Sequence, residues 1–418
     1  MPKKSSSSIY PLSAIRTLAL HAQHLDTANE ATPTPTLDSM VDLVTDLGCV
    51  QIDTLHMVNR AHYLTMWARL GSYSIDEFHK AIYDPQHRRL YEYWGHAASV
   101  IPLEHYRYQM WKMDKYRSSP GAWFSRWLAE DGNRELVDQV LNRIRTEGAM
   151  RGADFEYTGP KRGSWWDWKP TKLALEMLFE RGDLMVTDRV KFQRVYDVKE
   201  RVLPDWVDTN PAEAEEAYRF YVEQAAKALG VFEPMQTTDY AYMKRTTAKP
   251  QIAAMVKDGT LVEIQGESMK GVKTWMVHRD NLPALQRAAD GDLKAERTAF
   301  LAPFDSLFWA LDRDKTLWGF DQVLECYKKE KDRIWGYFCL PIVHRDRLVG
   351  RFDPKLDRKA GVLYLRALYL EPGIEPDDEL VAGVATAMRD FLSWHGAKTL
   401  KIDKSDPKEF GKKLVKAL

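Results

Sequence analysis

The sequence predicts a multidomain α+β protein. Its 418 residues are enough for about three domains of ordinary size. Hydrophobic residues make up 44% of the chain and include 14 Trp, a composition that supports packed cores and argues against disorder. Helical periodicity dominates the chain up to Phe300, whereas stretches typical of strands dominate the remainder of the chain. We therefore expect helical modules followed by a β-rich end domain.

The distribution of charge, the cysteines and the apolar runs exclude several classes of protein. The 60 Lys+Arg balance 60 Asp+Glu, although Arg143–Arg201 is net basic and Leu203–Gln236 is net acidic. The three cysteines are odd in number and widely spaced, which argues against a disulfide scaffold or a zinc site. No stretch approaches the ~18 apolar residues of a membrane span, and no apolar run of signal length follows the N-terminus. We expect a cytoplasmic protein with no membrane segment.

Two helices are predicted before the first candidate site. Apolar residues from Ile15 to Leu25 recur at helical spacing, with Ser13 as the cap. A second helix covers Leu37 to Leu47 and ends at Gly48, since glycine suits the left-handed residue after a helix end.

The order helix, helix, helix, hairpin is predicted twice, as in a winged helix-turn-helix. The first set comprises a helix through Leu136, Val140 and Ile144, a helix start at Arg151–Phe155, a helix from Pro170 to Gly182, and a hairpin of Leu184–Val186 and Val190–Tyr196 with its turn at Thr187–Arg189. The second comprises Ala212–Leu229, Thr237–Met243, Lys249–Lys257 and a hairpin of Leu261–Ile264 and Lys273–Val277. This pattern predicts two tandem winged modules.

The end of the chain is predicted as a separate α+β or barrel-like domain. Its elements are strands at Trp335–Leu340, Arg347–Asp353 and Gly361–Leu370, a helix at Asp378–Trp394 and a strand at Thr399–Ile402. The predicted domains are residues 1–130, a helical or winged-helix region, residues 131–205 and 206–295, two winged helices, and residues 296–418, the β-rich domain.

Gln51 and Asp53 are the candidate catalytic residues. In the segment Cys49–Thr54, Val50 and Ile52 alternate with them, so an extended chain buries one pair and presents the other on an open face. Their side chains would then be roughly 6.5–7 Å apart along the backbone and could share one water. The carboxylate can accept a proton or stabilise a cation, while the amide orients the water. The alternative is an edge strand with two solvated polar residues.

Basic and aromatic residues alternate between Arg88 and Arg117, which suits a nucleic acid because cations neutralise phosphates and rings stack on bases. Tyr93, Trp94 and His96 are the candidate substrate-binding residues of this stretch. The alternatives are that Tyr93 and Trp94 belong to an interdomain core and that His96 is structural.

Further candidates lie in the first winged module. Trp165–Lys169 precedes the helix that would face a DNA major groove, or else forms a packing cluster. Arg189, Lys191 and Arg194 would contact phosphates from the wing, or form a solvated basic face. Leu301–Trp309 favours a structural element. The chain contains no nucleotide-binding, metal-binding or serine-hydrolase motif, and we expect neither cofactor nor metal.

Five segments taken together closely resemble the YcaQ/AlkZ family of bacterial winged-helix DNA glycosylases. They are Leu47–Thr54, Glu92–Ala97, Trp165–Lys169, Phe192–Asp197 and Leu301–Asp305. The resemblance implies a C-shaped protein of three tandem winged helices with a C-terminal β-barrel-like domain, arranged around a concave surface of duplex size. The family motif is Gln, an apolar residue, then Gln or Asp, and Asp53 places this chain with the YcaQ-like branch.

The resemblance also implies an activity, namely excision of alkylated purines and unhooking of N7-guanine interstrand crosslinks. An N7-alkylated guanine is already cationic and leaves readily, so the enzyme must stabilise an oxocarbenium-like sugar and deliver water. Asp53 could stabilise the sugar cation and activate the water, while Gln51 orients that water. Because no lysine nucleophile is singled out, a monofunctional hydrolase is favoured over a lyase. The expected partner is double-stranded DNA with alkylated or crosslinked guanine, bound by a monomer.

Two rival functions remain open. A non-catalytic winged-helix DNA-binding protein, such as a transcriptional regulator or an architectural protein, would release no base. An inactive relative serving as a protein-interaction scaffold would not need to bind DNA.

Overall fold

The computed structural model describes residues 9–31, 33–155 and 170–418 and shows a mixed α+β fold. The described chain forms two compact units. The first contains the residues up to Ile75, Gly95–Ser99 and Tyr221–Leu418, and the second contains Asp76–Trp94 and Val100–Phe220. The chain thus leaves the first unit and returns to it twice, so neither unit is one continuous segment. The four domains predicted from sequence stay a prediction.

Helices and strands are interspersed along the described chain. The helices are α1 Leu12–His21, α2 Leu37–Leu47, α3 Ala61–Leu70, α4 Ile75–Tyr83, α5 Tyr106–Ser118, α6 Ala122–Ala129, α7 Asn133–Glu147, α8 Pro170–Glu180, α9 Lys199–Val202, α10 Ala214–Leu229, α11 Gln236–Tyr240, α12 Arg245–Lys257, α13 Leu282–Asp290, α14 Arg313–Trp318, α15 Asp378–Trp394 and α16 Lys408–Ala417. The strands are β1 Val50–Gln51, β2 Leu90–Trp94, β3 Ala98–Pro102, β4 Met150–Arg151, β5 Leu184–Val190, β6 Gln193–Val198, β7 Val231–Phe232, β8 Leu261–Ser268, β9 Gly271–His278, β10 Thr298–Phe300, β11 Leu340–His344, β12 Arg347–Asp357, β13 Val362–Leu370, β14 Thr399–Ile402 and β15 Ser405–Asp406.

The first helix begins earlier than predicted. Pro11 occupies the cap position and Ser13 lies inside the first turn, so the prediction of a Ser13 cap is wrong. The physical reason is a distant partner: the backbone N–H of Leu12 donates to the Glu267 carboxylate at 2.9 Å. A carboxylate from β8 thus satisfies one of the amides that a cap would otherwise take.

The second unit contains the first predicted hairpin, β5–β6, and the short strand β4 extends it in the order β4-β6-β5. The hairpin is confirmed, but its predicted turn at Thr187–Arg189 is wrong. Those residues belong to β5, which has an irregularity between Val186 and Asp188. The reversal instead falls at Lys191 and Phe192, which adopt φ of 49° and 67°.

The second predicted hairpin, β8–β9, lies in the first unit, where β7 joins it in the order β7-β9-β8. Helices α10 and α12 pack on this sheet through a buried apolar cluster that includes Val222, Leu229, Ile252, Met255 and Met276. Helix α12 starts at Arg245 rather than at the predicted Lys249.

The C-terminal strands form one sheet in the order β10-β11-β12-β13-β14, with β15 also paired to β13. Strands β10 to β13 are antiparallel, whereas β14 and β15 run parallel to β13. Helix α15 and strand β14 have the predicted bounds. The prediction of a strand over Trp335–Leu340 is wrong before Leu340.

Two buried carboxylates explain why that strand does not form. Glu325 accepts the backbone N–H groups of Ile334, Trp335 and Gly336, and Asp353 accepts those of Tyr337 and Phe338. Side chains therefore satisfy the amides that a strand would have paired with a neighbouring strand.

Candidate active site

Only Val50–Gln51 of the predicted extended segment forms a strand, β1, but burial alternates along the motif as predicted. Val50 and Ile52 are 1% and 8% exposed, while Gln51 and Asp53 are half-buried. The N–H of Ile52 donates to the carbonyl of Ala98 at 2.7 Å, which fixes the register of the motif. Among the described residues, none forms a side-chain hydrogen bond with Gln51, so its amide is available to a water.

Helix α2 ends just before this strand, and its C-terminus is held in a defined conformation. Gly48 has a φ of 79°, as predicted for the residue that ends the helix. The Gln224 amide donates to the carbonyls of Thr45 and Asp46 at 3.0 and 2.9 Å, and so caps the last turn of α2. A Cβ at Gly48 would lie 2.8 Å from Gln224 Cγ, so this close approach also requires glycine.

The Asp53 carboxylate is partly desolvated. Its Oδ1 accepts the N–H of Leu55 at 2.7 Å, and in the described ranges no other hydrogen bond to this carboxylate occurs. Burial raises the pKa of Asp53, while the Leu55 amide and the Arg60 cation oppose the rise. Oδ2 can therefore accept from a water or stabilise a cation.

Asp53 lies beside a segment far away in the sequence. After burial, the negative charge of Asp53 is the next cause that raises the pKa values of the Cys326 thiol and the Tyr327 hydroxyl. Tyr327 is 74% exposed, so its ring lies at the protein surface. Sequence reasoning missed both residues, because no local motif marks them.

The loop after Asp53 is fastened to the turn between β12 and β13. Arg358 donates to the carbonyl of Val58 and, at 2.9 Å, to His56 Nε2. The Leu356 N–H donates to the carbonyl of Met57 at 3.1 Å. Burial, followed by the charge of Arg358, lowers the pKa of His56 to about 4, which leaves the ring neutral as an acceptor. Sequence reasoning did not identify Arg358 as a positioning residue.

His96 belongs to a row of aromatic rings. It stacks on Trp309 with ring centroids 4.3 Å apart and planes 2° apart, and the Tyr242 ring meets it edge-on at 5.7 Å. His96 Nδ1 lies 3.2 Å from the carbonyl of Tyr240, and burial lowers the pKa of the imidazole. Trp309 in turn donates to the carbonyl of Phe304 at 3.0 Å. The Leu301–Trp309 segment therefore supports His96.

Tyr93 and Trp94 lie in the second unit. Tyr93 is 4% exposed and its hydroxyl donates to the carbonyl of Glu180 at 2.7 Å. Trp94 is half-buried, with the Arg194 guanidinium 5.9 Å from the centre of its ring. Both residues have packing roles in this unit, and their contact with substrate stays a prediction.

Two of the three predicted wing cations are compensated by one buried carboxylate. Arg189 donates from Nε and Nη2 to the two Glu92 oxygens at 2.6 Å each, and Arg194 Nε lies 3.5 Å from Glu92 Oε2. Burial opposes ionisation of Glu92, but these guanidinium groups outweigh it and hold its pKa below the ordinary value. Lys191 is exposed in the turn. Phosphate contacts by the three residues stay predictions.

The predicted tryptophan-rich segment Trp165–Lys169 lies outside the described residues. Within residues 9–31, 33–155 and 170–418, no group of three or more His, Cys, Asp or Glu side chains is placed to hold a metal ion. In the same ranges, no helix has both the length and the apolar character needed to cross a membrane.

Comparison with known proteins identifies the family to which the chain belongs. The structure is similar to that of the Streptomyces sahachiroi DNA glycosylase AlkZ, with a TM-score of 0.62 and 16% sequence identity over 95% of this chain and 100% of that one. The model of the family described as DNA glycosylase AlkZ-like matches residues 44–394, a range that includes Gln51, Asp53 and the ring row. The chain belongs to this family of DNA glycosylases, which confirms the resemblance found in the sequence.

Proposed function

We propose that this protein is a monofunctional glycosylase that hydrolyses the N-glycosidic bond of N7-alkylated guanine in double-stranded DNA and unhooks interstrand crosslinks through N7. The observation that carries the proposal is the pair Gln51 and Asp53, whose side chains are both half-buried and can both form further hydrogen bonds. No amine nucleophile and no metal is needed for this chemistry.

The proposed reaction uses the charge already present on the lesion. The C1′–N9 bond breaks, and its electron pair moves to the base and neutralises the alkylated ring. The Asp53 carboxylate stabilises the oxocarbenium-like sugar, accepts a proton from water and so directs the oxygen to C1′. The amide of Gln51 orients that water. The products are N7-alkylguanine and an abasic sugar in an intact strand.

The architecture that we propose for this function is the one implied by the resemblance. The helices and hairpins α7–β6 and α10–β9 support winged-helix modules, and the C-terminal sheet supports a barrel-like end domain. A third winged module, a C-shaped arrangement and action as a monomer complete the proposal.

The experiment is incubation of the protein with a duplex that contains a single N7-methylguanine, followed by analysis of the strand before and after alkali. We expect free base and a strand that stays intact until alkali cleaves it at the abasic site. A second duplex with a nitrogen-mustard crosslink tests unhooking. A non-catalytic DNA-binding protein would leave both duplexes unchanged, and cleavage before alkali would exclude the monofunctional mechanism.

A further inference from the structure

Tyr242 is an aromatic side chain that folding alone does not explain. It lies in the turn between α11 and α12, is 76% exposed and has a φ of 51°. A bulky side chain rarely adopts this left-handed backbone conformation, which glycine or asparagine adopts more readily. Neither burial nor backbone preference therefore favours tyrosine at this position.

The Tyr242 ring is the solvent-exposed end of the row of rings Trp309, His96 and Tyr242. Its inner neighbour His96 is held by the Tyr240 carbonyl on one side and stacked on Trp309 on the other. The side chain thus projects into solvent from a rigid base, as a ring that stacks on a ligand must.

The residues just after Tyr242 carry exposed positive charge. Lys244, Arg245 and Lys249 are exposed at the start of α12, and over the described part of the chain no carboxylate lies within 4 Å of their charged groups. Arg189 and Arg194 differ, because Glu92 compensates them. Uncompensated cations beside an exposed ring suit a nucleic acid, whose phosphates and bases require both.

The ring row also lies close to the proposed reaction centre. His96 is two residues from Ala98, whose carbonyl accepts the N–H of Ile52, the residue between Gln51 and Asp53. A Cβ at Gly95 would lie 2.8 Å from Cys49 Sγ, so the two segments pack closely. A base that stacks on Tyr242 would therefore belong to a nucleotide near the reacting sugar.

We propose that Tyr242 stacks on a nucleobase of the bound DNA next to the lesion, while Lys244 and Arg245 contact the adjoining phosphates. The site is a stacking surface for one base and takes no separate small ligand. Its assignment to the neighbourhood of the lesion rests on the proposed function, whereas the DNA contact itself does not.

The first test measures DNA affinity by fluorescence anisotropy with the variants Tyr242→Gly and Tyr242→Phe. Loss of one base–ring stack predicts about 5- to 150-fold weaker binding for Tyr242→Gly, and near wild-type binding for Tyr242→Phe, which retains the ring. Glycine suits the left-handed backbone, so Tyr242→Gly should unfold at the wild-type temperature or above it. Wild-type affinity of Tyr242→Gly would overturn the proposal.

A matched control is Tyr364→Ala. This half-buried ring also lies near a cation, since Lys401 Nζ is 5.8 Å from its centre, but it belongs to the C-terminal sheet. We expect unchanged affinity for this variant. An equal loss in both variants would show a general effect of removing a ring and would count against stacking by Tyr242.

The second test separates this inference from the proposed function. The double variant Lys244→Ala, Arg245→Ala should reduce the slope of log affinity against log salt by about two, one for each phosphate contact. An unchanged slope would show that Lys244 and Arg245 do not contact phosphates. If the wild type excises no N7-alkylguanine but DNA binding still depends on Tyr242, the proposed function is wrong and the proposed DNA contact is correct. If excision occurs and Tyr242→Gly binds and excises normally, this inference alone fails.

Discussion

The Asp53 carboxylate is partly buried, yet it accepts only one hydrogen bond from the described residues. The single hydrogen bond from Leu55 stabilises the anion, whereas desolvation opposes it and prevails, so the pKa lies above the ordinary value. A carboxylate of this kind is a stronger base and a stronger electrostatic partner for a cationic sugar than one that is fully solvated.

The variant Asp53→Asn tests this role directly. Loss of one group that stabilises developing charge typically lowers the rate by about 100- to 1,000-fold, whereas DNA affinity should change little because phosphate contacts carry it. Single-turnover excision and anisotropy measure the two quantities. Asp42→Asn, which changes an exposed carboxylate on α2, is the matched control. Rapid excision by Asp53→Asn would contradict the assignment.

The raised pKa of Asp53 also predicts a pH dependence. The reactive form is the carboxylate, so excision should fall as the pH falls through this pKa, at a higher pH than for an ordinary aspartate with a pKa of 3.8. Asp53→Asn should remove this limb from the pH profile. The pKa of His56 is about 4, so His56→Asn is the control and should retain the limb.

The sequence predicts the motif residues but not their surroundings. Alternation of Val50 and Ile52 with Gln51 and Asp53 is local, so it can be recognised in a single chain. Tyr327 reaches Asp53 through long-range folding, and no spacing rule connects residues that are so far apart.

Element bounds that depend on local sequence are predicted correctly, whereas bounds that depend on residues outside the segment are not. The bounds of α15 are predicted correctly because its apolar period and its Asp377 cap are both local. Ser13 and Trp335–Cys339 are predicted wrongly, because carboxylates outside each segment accept hydrogen bonds from backbone amides there, from as near as 10 residues to as far as 255 residues along the chain. Long-range hydrogen bonds can override local preference at element ends.

Helix α8 contains a carboxyl group that opposes folding when it ionises. Burial, and then the charge of Glu176, raises the pKa of Glu180 to about 7 from 4.5. The folded state therefore holds the proton more tightly than the unfolded state. The stabilising contribution is complete below about pH 4.5 and is lost as the pH rises through about 7.

We expect Glu180→Gln to be more stable than the wild type at pH 8, by about 1 kcal/mol after allowance for solvent screening, and equally stable at pH 4. Urea unfolding at the two pH values measures the difference. Glu147→Gln, at the exposed end of α7, is the surface control. Equal effects of Glu180→Gln at both pH values would contradict the prediction.

In the first unit as a whole, Arg69 and Asp305, which are 236 positions apart in the sequence, form a buried ion pair. Arg69 donates to the two Asp305 oxygens at 2.8 Å each, and both side chains are fully buried. Arg69 also donates to the carbonyl and side chain of Gln23, which accepts a further hydrogen bond from Ser306. Asp305 of the recognised Leu301–Asp305 segment is therefore structural, as the sequence favoured.

The variant Asp305→Asn should be severely destabilised. Removing one partner of a buried ion pair leaves the other charge uncompensated, which costs about 3–5 kcal/mol of the free energy of unfolding. Urea unfolding of the variant measures the loss, and Asp312→Asn provides an exposed control. A midpoint equal to that of the wild type would show that the pair contributes no net stability.

The position of Asp53 beside Tyr327 has a consequence for biosynthesis. Translation at about 5–20 residues per second leaves roughly 14 to 55 s between the emergence of the two residues from the ribosome. Throughout that interval the nascent polypeptide carries the Asp53 carboxylate without Cys326 and Tyr327, whose pKa values respond to its charge in the folded protein. Prematurely terminated products would hold the motif but lack its final environment, so competence for repair arrives only when most of the message has been read.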